Sequence, residues 1–255
     1  MEKGNYWKIK KPLLFLFWGL VLLGFIGFIE NKADQKTFSG LEVYIKEVSD
    51  VYFVDENEVI RLLKNAYPAL EKKGSSKGIP LHELEKKVES HPFIKNAEVF
   101  MDLKGKVIVK VSQHVPLARI VRPLAADGYI SREGKILPIS SKYTSRVLVL
   151  EGRKASELLQ QKDLTTSHPE LMNLLLFIER DNFWKAQISG MEIQNNGELN
   201  LYQQVGKQTI EFGKPMEIEM KFKKINTYYK KILPLKGWNT YNRVNVKFKD
   251  QIICE

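Results

Sequence analysis

The stretch Ala97-Glu98-Val99-Phe100-Met101-Asp102-Leu103-Lys104-Gly105-Lys106-Val107-Ile108-Val109-Lys110-Val111 carries the first fold assignment. Ala97, Val99 and Met101 alternate with Glu98 and Asp102. Leu103-Lys104-Gly105 then turns the chain, and Val107, Val109 and Val111 alternate in the same way. A period of two means a strand with one buried face, so the stretch predicts a β-hairpin with a single apolar side.

Upstream, Leu41, Val43 and Ile45 alternate with polar neighbours and predict a further strand. Asp55 followed by Glu58 predicts a capped helix start, with Val59, Ile60, Leu62 and Leu63 as its apolar face. That helix ends before Pro68, and Lys72 to Gly78 (KKGSSKG) predicts a loop. A second helix starts near Pro80, carries Leu81, Leu84 and Val88 at helical spacing, and stops at His91-Pro92. The order strand, helix, helix, strand, strand buries its apolar set when two helices cover one sheet face.

From Pro116 the texture changes to short strands and turns. Gly128-Tyr129-Ile130 and Lys135-Ile136-Leu137 flank a hairpin tip at Arg132-Glu133-Gly134. Arg146 to Leu150 predicts a strand ended by Glu151-Gly152, and Pro169 opens a leucine-rich helix capped by Ser167 and Glu170. Met191 to Ile193, Leu199 to Tyr202 and Thr209 to Phe212 read as successive antiparallel strands. Lys221 to Leu233 reads as a helix with Phe222, Ile225, Tyr229 and Ile232 on one stripe, and Val244 to Ile253 as a final strand. The fold class expected is α+β.

Ahead of all this, Pro12 to Ile29 (PLLFLFWGLVLLGFIGFI) holds no charge. At about 1.5 Å per residue it reaches about 27 Å, close to the hydrocarbon thickness of a bilayer. Lys3, Lys8, Lys10 and Lys11 precede it against Glu2, whereas Glu30, Lys32, Asp34 and Lys36 cancel behind it. The positive-inside rule keeps the short tail in the cytoplasm and exports the remainder. A cleaved signal peptide would have an apolar run of about 7–15 residues and a small-x-small site; here the run is longer and gives way to Glu30-Asn31-Lys32-Ala33. The expected organisation is a cytoplasmic tail at 1–11, a transmembrane helix at 12–29, a linker at 30–40, one domain at 41–119 and a β-rich domain at 120–255.

Lysine and arginine number 40 against 30 acids, a formal charge of +10. Export removes nucleic acid as the reason for that charge. The strongest cluster is the helix bearing Lys221, Lys223, Lys224, Lys230 and Lys231, with Lys236 after it, expected as a solvated face opposite the apolar stripe, with contact to an acidic partner or lipid headgroups as the alternative. Cys254 is the one cysteine, so no disulfide closes within the chain. His82-Glu83-Leu84-Glu85-Lys86 begins like a zinc-protease helix, but Lys86 stands where the second histidine belongs. His91 and His114 are expected as surface or capping groups. Neither a Gly-x-Ser-x-Gly elbow nor a phosphate-binding loop occurs in the sequence.

Several segments resemble the FtsQ/DivIB family of bacterial cell-division proteins. His91-Pro92-Phe93-Ile94-Lys95-Asn96-Ala97-Glu98-Val99 resembles the "P-(W/F)-(V/I)-x-x-A-x-V" core of a POTRA domain, and Val109 to Arg119 its "V-x-E-x-x-P-(V/I/L)-A" exit. Tyr129 to Leu137, with Gly134, is similar to that family's hairpin, Val147 to Gly152 to its "L-P-x-L-x-G" strand, and Phe212-Gly213-Lys214-Pro215 to its turn before the last helix. Val244-Asn245-Val246-Lys247-Phe248 is similar to "(I/V)-D-(L/M)-R-Y". Gln113 departs from a glutamate, Ser131 and Asn245 from aspartates, and Lys247 from an arginine, while 153–190 matches poorly.

The resemblance implies a single-pass protein of the inner (cytoplasmic) membrane at the division septum, with a POTRA domain (β-α-α-β-β) and then a mixed β-rich domain with flanking helices. It implies a non-enzymatic scaffold without catalytic residues, metal or cofactor, which recruits small bitopic proteins of the FtsB/DivIC and FtsL kind and links them to septal cell-wall synthesis. Other membrane proteins of the divisome would be met through the POTRA and transmembrane regions. The partner-binding set it implies is Tyr241, Phe248, Lys249, Asp250, Gln251, Ile252 and Ile253, on a terminal edge strand that can accept one more strand. Two other readings fit parts of the sequence: a membrane-anchored cell-wall enzyme, and a POTRA-type assembly or secretion factor. The latter needs a barrel of at least about eight strands to follow.

Overall fold

The computed structural model describes residues 17–24, 37–48, 51–71, 74–75, 78–123 and 127–255. Residues 17–24 are helical. The predicted tail 1–11, the rest of the predicted span 12–29 and most of the linker lie outside the described residues. Among the described residues no helix is long and apolar enough to cross a membrane. The chain divides into two compact units, one of residues up to 45 with 55–91 and 96–111, the other of 46–54, 92–95 and 112–255.

In the first unit, β1 (Gly40–Ile45), α1 (Glu56–Ala66), α2 (Leu81–Glu89), β2 (Ile94–Met101) and β3 (Lys106–Gln113) follow in the expected β-α-α-β-β order. The sheet order is β1-β3-β2. β1 runs parallel to β3, with Gly40 opposite Lys106 and Ile45 opposite Val111. Thr37–Phe38 and Gly74–Ser75 form a further short antiparallel pair, so folded chain begins inside the segment expected as a linker. Asp55 caps α1 as expected, its side chain accepting from the Glu58 N–H at 2.8 Å. Val59 and Leu63 of α1 and Leu84 and Val88 of α2 are buried with Val43, Ala97, Val107, Val109 and Val111 of the sheet. Each valine or leucine among them contributes about 1.5–3 kcal/mol on burial.

β2 is an outer strand of this sheet, and α2 closes its free side. The Glu89 carboxylate accepts from the Ala97 N–H at 3.1 Å and the Glu85 carboxylate from the Val99 N–H at 3.2 Å. Two outward amides that a foreign strand would need are thereby occupied.

The second unit is built on β4 (Pro116–Ile120), β5 (Gly128–Ser131), β6 (Ile136–Leu137), β7 (Leu148–Glu151), β8 (Ile188–Ile193), β9 (Leu199–Gln203), β10 (Thr209–Gly213), β11 (Arg243–Asn245) and β12 (Ile253–Cys254). They form one mixed sheet in the order β12-β11-β10-β9-β8-β7-β4-β5-β6. Pro116–Ile120, expected to end the first domain, is a strand of this sheet. Residues 153–190, which match the family pattern poorly, supply α3 (Arg153–Leu158), α4 (Leu164–Ser167), the expected leucine-rich helix α5 (Pro169–Arg180) and α6 (Asn182–Gln187). The cap also differs there: Asp163 caps α4, Ser167 is its last residue, and α5 starts directly on Pro169 with no side-chain cap.

α7 (Ile218–Thr227) continues through a π-helical turn at Tyr228–Ile232 and a last turn at Leu233–Lys236. The wider turn adds Tyr228 to the expected stripe, so Phe222, Ile225, Tyr228, Tyr229 and Leu233 are all buried. They share one core with Leu171, Leu174, Leu175 and Trp184 of the helices and with Ile130, Leu150, Met191, Leu201, Phe212 and Val244 of the sheet. Trp184 stands edge-on to Phe222 at 4.7 Å. On the other face of the sheet, Phe53 stacks on Phe93 at 4.5 Å and meets Tyr129 and Tyr143 edge-on. The departures from the family pattern sit in structural roles: Gln113 accepts from the Val54 N–H at 2.9 Å and Ser131 from the Lys135 N–H at 3.1 Å.

Two lysine and histidine expectations are corrected. Lys221 is buried, its ammonium donating to the Lys214 carbonyl at 2.7 Å and lying 4.7 Å from the Phe212 ring centre. Desolvation lowers its pKa, yet the ring and the carbonyl hold it within the fold. His114, expected as a surface or capping group, is buried in the second unit beside Phe93, whose carbonyl accepts its N–H at 2.9 Å. Its Nδ1 lies 3.0 Å from Glu133, which Lys95 also pairs at 2.6 Å.

Candidate functional site

The C-terminal segment was expected as one strand, Val244 to Ile253, and it is instead a hairpin. β11 lies parallel to β10, with Ile210 opposite Val244 and Glu211 opposite Asn245. The chain then turns through Phe248, Lys249 and Asp250, with Asp250 in the left-handed region at φ 58. It returns as β12, antiparallel to β11, with Asn245 opposite Ile253 and Val244 opposite Cys254. The reversal rests on Asp250, since aspartate tolerates the left-handed conformation that a tight turn needs.

This correction moves most of the expected contact set off the strand. Phe248, Lys249, Asp250 and Gln251 are exposed residues of the turn, and Ile252 leads out of it, half-buried against the core. Ile253 stands on the outermost strand with its side chain exposed. Tyr241 lies ahead of β11, also half-buried against the core. The structure therefore gathers the seven around one hairpin at one end of the sheet, in three different settings.

Backbone pairing gives the hairpin its outward chemistry. Arg243 and Glu255 exchange both N–H···O=C bonds at 3.0 Å. In an antiparallel pair, bonded and non-bonded positions alternate. Cys254 is therefore a non-bonded position: its own N–H and C=O point away from β11, toward the open side of the sheet. Burial pushes the Cys254 thiol pKa up, which leaves it a poor nucleophile.

Two side chains hold the hairpin in place. Lys224 of α7 donates to the Val246 carbonyl at 2.7 Å and the Phe248 carbonyl at 2.5 Å. Glu211 of β10 accepts from Arg243 Nε at 2.8 Å and Asn245 Nδ2 at 2.7 Å, with Lys247 Nζ 3.5 Å away. Burial raises the Glu211 pKa, but the Arg243 hydrogen bonds and charge, with Lys247, outweigh it and hold the carboxyl below its ordinary value. Lys247 packs its stem where Gly213 has no side chain; a Cβ there would stand 2.7 Å from Lys247 Cγ, and φ 72 suits glycine. Sequence reasoning missed Lys224 and Glu211. The alternation of Thr209 to Phe212 marked Glu211 as outward-facing, but nothing local in the sequence marks Lys224. Beneath the hairpin the buried Tyr228 hydroxyl has no hydrogen-bond partner among the described residues.

The remaining candidates offer less. His82 is an exposed helix residue 3.6 Å from Glu85. Among the described residues no cluster of His, Cys, Asp or Glu could hold a metal ion. A cleft of about 750 Å³ in the second unit is lined by Arg119, Arg132, Lys185 and Val149. Asp127 pairs with Arg119, and Glu179 with both Arg132 and Lys185, so these cations are already engaged.

A family model described as FtsQ/DivIB, C-terminal related, matches residues 115–255, the part of the chain that holds this hairpin. The chain belongs to the FtsQ/DivIB family. A POTRA-like domain model matches residues 37–112, in agreement with the β-α-α-β-β unit. None of the curated proteins matches the chain. FtsQ/DivIB proteins are non-enzymatic division proteins of the septum, which gives this chain a division-related role.

Proposed function

We propose that this chain is a divisome scaffold that captures small bitopic division proteins, of the FtsB/DivIC and FtsL kind, on the outer side of its terminal hairpin. A partner segment adds as a further strand on β12, bonding to the backbone of Cys254, while Ile253, Phe248 and the turn residues Lys249 to Gln251 read its side chains. Ile252 and Tyr241 support the strand from below. In this reading Pro12 to Ile29 anchors the chain in the inner (cytoplasmic) membrane, the tail lies in the cytoplasm and the folded units lie outside it. The chain has no catalytic role; it links its partners to septal wall synthesis, and the POTRA and transmembrane regions meet other divisome proteins.

The observation that supports this reading most is the contrast between two outer strands. Glu85 and Glu89 occupy the outward amides of β2, whereas the outward N–H and C=O of Cys254 have no such cover among the described residues. The test compares two variants at one position. Cys254→Pro removes the outward donor without removing a bond to β11, so co-purification of the bitopic partner should fall about tenfold or more, the worth of one or two hydrogen bonds. Cys254→Ala should bind as before. Normal recovery by a folded Cys254→Pro chain would take β12 out of the interface.

A further inference from the structure

Three segments of the second unit meet at one end of the core and leave a surface that the hairpin does not use. Tyr229 is their hub: Trp238 stacks near-parallel to it at 6.5 Å and Phe183 stands edge-on at 6.2 Å. Gln187 donates to the Val205 carbonyl at 3.0 Å, and Gln208 to the Trp238 carbonyl, which pins the 203–208 turn and the 237–240 loop to the same place. The apolar groups around this hub face water: Leu235 is 84% exposed, Val205 56%, Phe183 53% and Trp238 48%. Across 182–188, 203–208 and 228–240 the sequence holds five lysines, Lys185, Lys207, Lys230, Lys231 and Lys236, and no acid. All five are exposed, and among the described residues only Lys185 has an acidic partner, Glu179 at 3.7 Å.

We infer that this patch is a docking surface for an anionic lipid bilayer. Aromatic and leucine side chains flanked by lysines are the chemistry of a membrane interface: the apolar tips enter the headgroup layer and the ammonium groups meet lipid phosphates. The charge favours an anionic partner: Leu235 ends a helix and Trp238 lies in the loop after Gly237, which adopts φ 95, both with their apolar surface open to water and lysines beside them in the sequence. The tether fits as well. With Ile29 ending the predicted span, Thr37 lies eight residues on, within about 28 Å of chain, so the first unit starts close to the bilayer and the second is tethered to the same membrane. The inference goes beyond partner capture at β12 and draws on the anchor only for this proximity.

The test uses the full chain reconstituted in vesicles of phosphatidylcholine alone, or with about a third phosphatidylglycerol. Flotation with both vesicle types checks the anchor separately. Hydrogen exchange is then read on peptides covering 182–188, 203–208 and 233–240. Exchange about fivefold slower or more in the anionic vesicles, relieved by high salt, is expected. A Leu235→Ser, Trp238→Ser double variant should lose that protection while β8 and β9 keep theirs. Equal exchange in both vesicle types overturns the inference. Protection that appears only when bitopic division proteins are added, whatever the lipid, overturns it in favour of a protein interface.

Discussion

Replacing Lys224 by methionine keeps the stem and removes the ammonium that clamps the hairpin. Two bonds are lost, at 2.7 Å to Val246 and 2.5 Å to Phe248. A hydrogen bond from a charged donor contributes about 1.5–3 kcal/mol when shielded. The Val246 bond is partly buried and counts near the lower end of that range; the Phe248 bond is exposed and adds about 0.5 kcal/mol. The sum, about 2 kcal/mol, raises the local opening constant about 30-fold. Native-state hydrogen exchange reads this directly at the Arg243 and Glu255 amides, which close the β11–β12 pair. Both should exchange about 30-fold faster in Lys224→Met, while amides of β8 and β9 stay within about twofold. A change below about threefold at Arg243 and Glu255, worth under about 0.7 kcal/mol, would show that the hairpin holds without its clamp and would refute the reasoning.

Other outcomes follow from the same geometry. Burial raises the Glu133 pKa, but Lys95 and His114 bond to it and bring it down to about 2. A depressed carboxyl contributes its stability above the unfolded value near 4.5 and loses it as pH falls toward 2. Because the group is about a third exposed, its contribution at neutral pH is about 1–2 kcal/mol, and urea unfolding of Glu133→Gln against the parent should converge only as pH approaches ~2. Gly152 holds φ 100, and an added Cβ would stand 2.5 Å from the Ile193 carbonyl; Gly152→Ala should therefore cost about 2–4 kcal/mol by urea midpoint. Trp184→Ala empties the space against Phe222 and should cost about 3–5 kcal/mol, read as a lowered thermal midpoint.

The first unit was legible almost residue by residue because its signals are local. Alternation places Val107, Val109 and Val111 on the buried side of β3, and the Asp55 cap sets the start of α1. What could not be read there was the use of Glu85 and Glu89. On a helix they look like any solvated acids, and only the fold brings them to Ala97 and Val99. The shorter helices of 153–190 were missed for a related reason: α3, α4 and α6 span 6, 4 and 6 residues, too few turns for a helical period to show, whereas the 12-residue α5 was read from its leucines. Lys221 misled because a lysine in a lysine-rich helix reads as solvent-facing, while its burial depends on a carbonyl seven positions away.

The hairpin was hidden by parity. Inward positions Val244 and Val246 are followed, after the turn, by Ile252 and Cys254, all at even numbers. A turn that leaves the alternation in phase is hard to see in a period-two pattern, so one straight strand and a folded hairpin agree on these four positions and differ at Phe248 and Asp250, which the turn exposes. The difference matters for docking. A straight strand would offer the backbone of β11 itself to a partner, but β12 already covers that side. The open groups then belong to Cys254, opposite Val244, so in the proposed docking an added strand lies beyond β12 and reaches Phe248 and Asp250 only by running on along the hairpin toward its turn. In the proposed docking the turn residues read the partner's side chains, and Lys224, by bonding the Val246 and Phe248 carbonyls, sets where those residues stand.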